Sequence, residues 1–173
     1  MRNFFQIVFF LLLCTSLKAQ DKNVFDVARK GSLSEIQDIY KLNPELVNAI
    51  NDNKATPLIL ACYRNNEAVA LYLTDKVANI NYNSGMGTAL MAAIMSGNKT
   101  IIEKLISKKA DLDQKDTQGK TALIYAAFNN NLEITKMLIK AGANSKLADN
   151  EKRTALDYAK FNKNTQLIIL LDH

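Results

Sequence analysis

Apolar and polar positions recur along the chain with a period of about 33 residues. Four segments open with threonine, continue through small and aliphatic residues and end in polar ones: TPLILACYRNN from Thr56, TALMAAIMSGN from Thr88, TALIYAAFNNN from Thr121 and TALDYAKFNKN from Thr154. The threonines are spaced by 32, 33 and 33 residues. Self-similarity at such an interval indicates a repeat protein, in which each copy is one supersecondary unit.

A second apolar segment follows each of these first segments. The second segments contain AVALYL, IIEKLI, EITKMLI and QLIILL, and polar connectors such as VANINYNSGMG separate one copy from the next. An earlier, more divergent copy reads NVFDVARKGSLSEIQDIYKLNPELVNAIN. The pattern predicts two short helices in each copy. Since one helix pair cannot bury both of its faces, the copies must stack.

The residue types within each copy suit this arrangement. A threonine hydroxyl accepts a hydrogen bond from a free N–H group of the first helical turn, and Pro57 after Thr56 suits the first helical position. Larger aliphatic side chains, such as Leu105 and Leu138, lie in the second helices. Small side chains recur in the first helices and would let neighbouring helices approach closely: Ala61, Cys62, Ala92, Ala93, Ala126, Ala127 and Ala159.

The stretch DTQGKTALIYAAFNNNLEITKMLIKAGAN, residues 116–144, resembles the ankyrin repeat pattern D-x-x-G-x-T-P-L-x-x-A-A-x-x-G-x-x-E-I-x-x-x-L-L-x-x-G-A-D. The resemblance extends over about residues 21–173. It implies an all-α repeat solenoid of about five stacked ankyrin repeats, each with a helix-turn-helix and a β-hairpin-like connector. The expected units are residues 21–50, 51–82, 83–115, 116–148 and 149–173, of which the first and last are atypical, as end units of a stack are.

The sequence departs from the family pattern at several turn positions. Lys54, Met86 and Lys152 replace the hairpin glycine, and Val77 and Lys109 replace the glycine that ends the second helix. Glycine adopts a positive φ without steric cost, whereas other residues do not. We therefore expect these particular turns to be loosened while the fold is kept.

The first twenty residues have the layout of a secretory signal peptide. A basic start at Arg2 precedes an apolar run from residue 7 to residue 13, and a short polar exit ends at Ala19. The run is too short for a permanent transmembrane helix, which takes ~20 residues. We expect cleavage after Ala19 or Gln20 and a periplasmic or secreted mature protein. Two alternatives are a lipoprotein modified at Cys14, although Leu13 is not the small residue that such signals carry, and a buried N-terminal helix.

Composition and charge narrow the class of function. The 173 residues are 48% hydrophobic and 23% charged, which suits one globular domain. Loss of Arg2 and Lys18 with the signal leaves 20 basic and 17 acidic residues, a net charge of +3, with the lysines spread along the chain. No nucleic-acid partner is expected, since binding would need a clustered basic surface. Cys62 is the only cysteine left, so it is either a small buried hydrophobe or a reactive thiol.

Candidate catalytic and metal motifs are weak. Residues 119–121 read GKT, like the end of a phosphate loop, but Gln114 stands where that loop needs its first glycine. His173 is the only histidine in the sequence, which argues against histidine-based catalysis or metal binding. Residues 111–122 match a calcium loop poorly, because Lys115 and Ala122 occupy ligand positions. We expect no enzyme activity, no catalytic residue, no cofactor and no metal.

The resemblance implies a surface for a protein partner. Ankyrin repeats bind other proteins through their hairpin tips and the concave face of their first helices, where the two residues after each small pair fall. In this sequence these are Tyr63, Arg64, Met95, Ser96, Phe128, Asn129, Phe161 and Asn162, with Arg29 and Lys30 in the first unit. One column thus contains Arg29, Tyr63, Met95, Phe128 and Phe161. Two interpretations stay open: the large side chains form a groove that a partner covers, or they tighten the stack.

Two further surfaces are candidates. The expected hairpin tips carry mainly polar groups, which would set specificity more than affinity: Asp52, Asn53, Ser84, Gly85, Thr117, Gln118, Asn150 and Glu151. The last segment, residues 167–171, is unusually apolar, and Ile169 stands where other copies have Glu103 and Lys136. This segment is either an imperfect cap or a contact surface.

These expectations lead to one main functional hypothesis. The chain is an exported, non-catalytic module, most simply a monomer, that binds a protein partner and does not insert into a membrane after signal cleavage. Within this class, an immunity protein against a toxin and a helper of a periplasmic enzyme remain alternatives. A self-assembling structural module is an alternative of another class.

Overall fold

The computed structural model describes residues 23–172, and this part of the chain is all-helical. Ten α-helices and one 3₁₀-helix follow one another: α1 Val24–Lys30, α2 Leu33–Leu42, the 3₁₀-helix Pro44–Asn48, α3 Pro57–Tyr63, α4 Glu67–Thr74, α5 Ala89–Ser96, α6 Lys99–Ser107, α7 Ala122–Phe128, α8 Leu132–Lys140, α9 Ala155–Phe161 and α10 Thr165–Leu171. They form five helix pairs, which confirms the predicted repeat solenoid. The expected signal segment, residues 1–20, and His173 lie outside the described residues.

The regular spacing of threonine along the chain has a local cause, because a threonine N-cap hydrogen bond starts the first helix of each unit from unit 2 onward. The hydroxyls of Thr56, Thr88 and Thr121 each accept from the backbone N–H three residues later, at 3.3 Å. Thr154 does the same and is itself bonded by Asp157 in a reciprocal capping box. The predicted N-caps are therefore confirmed.

The core is a seam of small residues between consecutive first helices. Ala28, Ala61, Ala93, Ala126 and Ala159 are fully buried, one in each unit. Without a larger side chain at this point, neighbouring first helices pack closely. The second helices complete the core with large aliphatic side chains that are also fully buried, among them Leu73, Leu105 and Leu138.

Cys62 belongs to the same seam. It is a free cysteine with no exposed surface, and burial raises the pKa of its thiol well above the ordinary value. A protonated, inaccessible thiol is a poor nucleophile. The interpretation of Cys62 as a small buried hydrophobe is confirmed.

Asparagine side chains join successive units at the ends of their helices. The Nδ2 group of Asn66 donates to the carbonyl oxygens of Ala28 and Gly31, at 3.2 and 2.9 Å. Asn98 donates to the Oδ1 atom of Asn65 in the preceding unit at 2.7 Å. Asn164 donates in the same way to Asn130. These bonds help to fix the position of each unit relative to the next, because each one satisfies a polar group that stacking would otherwise bury without a partner.

The turns that lack glycine fall into two classes. Lys54, Lys109 and Lys152 adopt left-handed backbone with φ of 59°, 63° and 64°, as expected for residues that replace glycine. Left-handed backbone costs an L-residue roughly 1–2 kcal/mol. These three turns are therefore strained at the positions that the sequence indicated.

The expectations for Met86 and Val77 were wrong, because neither residue is among those with positive φ. At Met86 the two flanking glycines, Gly85 and Gly87, adopt φ of 87° and 126° instead. Unit 2 is one residue shorter, and the Val77 N–H bonds directly to the Leu73 carbonyl at 3.0 Å. The glycine position of that unit is therefore absent and not substituted.

The last hairpin is organised around a buried carboxylate, that of Asp149, whose side chain is 1% exposed. Its Oδ1 atom accepts from the backbone N–H groups of Glu151 and Arg153, and its Oδ2 atom accepts from the Arg153 guanidinium and the Tyr158 hydroxyl. Burial alone would raise the pKa of Asp149, but these donors outweigh it and lower the pKa to about 2. The carboxylate thus joins the hairpin of unit 5 to the first helix of the same unit.

Replacement of Lys152 by glycine should raise the free energy of unfolding by about 0.5 kcal/mol, because relief of left-handed strain exceeds the entropy that glycine adds to the unfolded chain. Urea unfolding monitored by circular dichroism measures this. Met86→Gly is the matched control: Met86 is 84% exposed but lacks a positive φ, so only the entropic loss remains and stability should fall. A shift of the same sign in both variants would contradict the assignment of strain.

Asp149 should make stability depend on pH below about 4. Its folded pKa lies below the unfolded value, so its contribution is full above the unfolded pKa and is lost as pH falls through about 2. The shift corresponds to about 2 kcal/mol. The stability difference between the native protein and Asp149→Asn should therefore shrink between pH 4 and pH 2. A difference that stays constant down to pH 2 would show that the charge of this carboxylate adds nothing.

Candidate functional site

The C-terminal ends of the first helices and the hairpin tips form one surface, here named the first-helix face. Tyr63 ends α3, Met95 lies one residue before the end of α5, Phe128 ends α7 and Phe161 ends α9. These side chains are exposed by 58%, 45%, 48% and 82% respectively. The same register therefore presents a large apolar group to solvent in four successive units. Arg29 continues the column in α1, where it pairs with Asp26 at 2.9 Å.

The apolar side chains of the column do not all serve the same purpose. Phe128 meets the Tyr158 ring of the next unit edge-to-face, with 5.6 Å between ring centres, although it is still half exposed. Phe161 belongs to the last described unit and is the most exposed of the four. Phe128 thus supports both interpretations of the column, while the exposure of Tyr63 and Phe161 favours a surface for a partner.

The second residue of each predicted pair is more varied. The Arg64 guanidinium lies 5.8 Å from the ring centre of Tyr63 and is exposed. Asn129 is exposed and contacts the sulfur of Met95 at 3.6 Å. Asn162 donates to the carbonyl oxygens of Ala127 and Phe128, at 3.0 and 3.2 Å, so its donor group already joins units 4 and 5.

The predicted hairpin tips are hydrogen-bonded to one another from unit 3 to unit 5. The Thr117 N–H donates to the Gly85 carbonyl at 2.9 Å, and the Asn150 N–H donates to Gln118 at 2.9 Å. The Asn150 side chain adds a bond to the Thr117 carbonyl. The remaining tip residues are Asp52 and Asn53, which are exposed in unit 2, Ser84, which bonds within its own turn, and Glu151, which pairs with Arg153.

Sequence reasoning missed the densest group of side chains on this face, here named the aromatic–cation cluster: Lys120, Tyr125, Phe128, Arg153 and Tyr158. The Lys120 ammonium lies over three rings, 5.2 Å from the centre of Phe128, 5.7 Å from Tyr125 and 6.0 Å from Tyr158. The Arg153 guanidinium lies over the Tyr158 ring, 4.9 Å from its centre. The available signal was the basic residue directly before the capping threonine in units 4 and 5, as in GKT and KRT.

The tyrosine hydroxyls of the cluster are structural. Tyr125 donates to Asp116 and Tyr158 donates to Asp149, both at 2.7 Å. Burial, together with the bond to a carboxylate, raises the pKa of Tyr158 to about 12, and it also raises the pKa of Tyr125. Both phenols stay protonated at neutral pH. The cluster therefore offers contact area and positive charge, not a group poised to exchange protons.

The described residues give no sign of a metal site or a membrane-spanning helix. Within residues 23–172, no three histidine, cysteine, aspartate or glutamate side chains are grouped so that they would hold a metal ion. Over the same residues, no helix combines the length and the apolar character that crossing a bilayer requires.

Known proteins share the repeat but extend much further. The chain is 31% identical over 101 residues to the ankyrin repeat and SAM domain-containing protein 6 of Rattus norvegicus, and 30% identical to its Mus musculus counterpart. The match covers 57% of this chain and 11% of either relative, so the chain spans only a small part of their length.

The family model described as ankyrin repeats, in three copies, matches residues 24–116 and 90–173. The two matches overlap and together include every helix of the described structure. The chain belongs to the ankyrin repeat family.

Proposed function

We propose that the chain is an exported, non-catalytic module that binds a protein partner through its first-helix face. Ankyrin repeats mediate contacts between proteins, and this chain is a stack of five such units. The observation that carries the proposal is the column of exposed large side chains, from Tyr63 in unit 2 to Phe161 in unit 5. Aromatic side chains of this kind dominate the energetics of protein interfaces.

The geometry supports a rigid surface. The hairpin tips of units 3 to 5 are hydrogen-bonded to one another, and a threonine caps the first helix in these units. The column residues therefore project from fixed positions. A preorganised surface loses little conformational entropy on binding. A partner that covers several units would therefore gain from all of them without reshaping the stack.

An affinity purification tests the proposal. The tagged protein is compared with the variant Tyr63→Ser, Phe128→Ser, Phe161→Ser in the envelope fraction of its own host, after circular dichroism has shown that the variant folds. We expect the native protein to retain a partner that the variant loses, since each buried aromatic contact contributes on the order of 2 kcal/mol.

The matched control replaces three exposed apolar residues of the second helices and the 3₁₀-helix: Leu42→Ser, Leu46→Ser and Ile169→Ser. It should retain the partner. Equal recovery with both variants would place binding on another surface. A partner recovered from the envelope would favour a helper of an exported enzyme, and one recovered only from other cells would favour an immunity role.

Export is the second part of the proposal and rests on the sequence of residues 1–20. Mass spectrometry of the protein recovered from the host should show a mature chain that begins at Gln20 or Asp21, in the periplasm or outside the cell. A lipid-modified chain that begins at Cys14 would show the lipoprotein alternative. An intact Met1 in cytoplasmic protein would contradict export.

Self-assembly is the competing function, because Ile169 is 63% exposed in α10 at a register where two other units carry Glu103 and Lys136. It makes a distinct prediction: sedimentation should depend on protein concentration, and Ile169→Lys should abolish that dependence. The proposed binding module sediments as a monomer at all concentrations.

A further inference from the structure

The first-helix face is unevenly charged. At the register of the face and its tips lie five cations and two acids: Arg29, Lys30, Arg64, Lys120 and Arg153 against Asp52 and Glu151. One of these acids, Glu151, already pairs with Arg153 at 2.7 Å. Arg29 pairs with Asp26, and Arg153 also pairs with Asp149. Among the described residues, the cations of the face without an ion pair are therefore Lys30, Arg64 and Lys120, against Asp52 alone.

The two carboxylates next to the aromatic–cation cluster already accept several hydrogen bonds each. Asp149 accepts from the Tyr158 hydroxyl, the Arg153 guanidinium and two backbone N–H groups. Asp116 accepts from the Tyr125 hydroxyl and from two backbone N–H groups of its own hairpin. Asp149 is saturated, and Asp116 keeps at most one acceptor site, at Oδ2. Lys120 and Arg153 already lie over the neighbouring rings, so a cationic ligand would meet like charge here.

Lys120 is the group of the cluster whose charge is least compensated. Within residues 23–172 its ammonium forms no ion pair with a carboxylate and only faces the three rings. A cation–π contact leaves the outer side of the ammonium open to a second, charged partner. An incoming carboxylate could therefore pair with Lys120 while the lysine stays over the rings, whereas a second cation would be repelled.

We propose that the partner covers this cluster with an acidic segment that also carries aromatic or large aliphatic side chains. This inference rests on the proposed function and specifies its partner. A carboxylate of the segment pairs with Lys120, and its apolar side chains cover Phe128 and Phe161. Acidic charge then supplies specificity and the association rate, while the apolar contacts supply affinity.

The spacing of the stack sets the spacing of the motif. Neighbouring packed helices lie ~8–10 Å apart, and an extended peptide advances ~3.3 Å per residue. The step from the unit of Lys120 and Phe128 to the unit of Phe161 therefore corresponds to about three residues of an extended segment. The expected motif has an acidic residue beside one apolar residue, with a second apolar residue about three positions away.

Selection from a random peptide library displayed on phage tests the inference without a known partner. The purified chain is immobilised, and the enriched peptides are sequenced. We expect enrichment of net negative peptides with two apolar residues at the stated spacing. Enrichment of basic or uncharged peptides, or no enrichment at all, would overturn the proposal.

Two variants then localise the binding of the most enriched peptide, measured by fluorescence anisotropy. Lys120→Glu should weaken it about tenfold or more, because attraction becomes repulsion. Lys140→Glu, which makes the same charge change at an exposed position of α8, should leave the dissociation constant unchanged. If Lys120→Glu fails to fold, Lys120→Met keeps the stem over the rings and should still weaken binding. Equal affinity in all variants would refute the role of Lys120.

Other polyanions provide the remaining outcomes. Phosphatidylglycerol vesicles and single-stranded DNA should bind more weakly than the selected peptide, and stronger Lys120-dependent binding of either would overturn the peptide assignment. The results distinguish failure of the proposed binding face from failure of the proposed acidic partner. If the serine variant loses the host partner but selection yields basic peptides, the binding face stands and its acidic partner does not. If the serine variant keeps the host partner, the face itself is wrong.

Discussion

The close approach of neighbouring first helices through buried alanines is the contact on which the rest of the structure depends. Helices of seven to ten residues are marginal by themselves in water, so each exists only because the next unit covers it. Ala61, Ala93 and Ala126 leave room for that approach, and the asparagine bonds fix its offset. Because the seam and the second helices bury enough surface to hold the stack, the ends of the first helices are free to carry other side chains.

That division explains the character of the first-helix face. Tyr63 and Phe161 stand outside the core although they are large and apolar, and the threonine caps and hairpin bonds hold their helices in place. Phe128 shows where the two roles meet, since it packs on Tyr158 and still presents half of its surface. A repeat protein can therefore vary this face while the seam beneath it keeps the fold.

The sequence predicted the helix caps and the small residues between helices, and it missed details of individual turns and contacts that join two units. Thr88 and Thr121 as helix caps follow from a bond spanning three residues, so the pattern sufficed. The prediction for Met86 was wrong because the neighbouring glycines adopt the positive φ values of that turn. The prediction for Val77 was wrong because unit 2 is one residue shorter at the end of its second helix. The cluster around Lys120 was missed because it needs Tyr158 from the next unit. The hydrogen bonds of the Asn162 side chain likewise could not be predicted, because they end on carbonyl groups 34 and 35 residues away in the preceding unit.

The exposed column should contribute little to the stability of the stack. Equilibrium unfolding in urea tests it most directly, with Tyr63→Ser and Phe161→Ser measured singly beside Ala93→Leu in the seam. We expect the free energy of unfolding to change by no more than about 0.5 kcal/mol in the two column variants and to fall by ~1–3 kcal/mol or more in the overpacked seam variant. Column variants that destabilise the protein as much as Ala93→Leu would show that these side chains serve the stack, and would contradict their assignment to a partner.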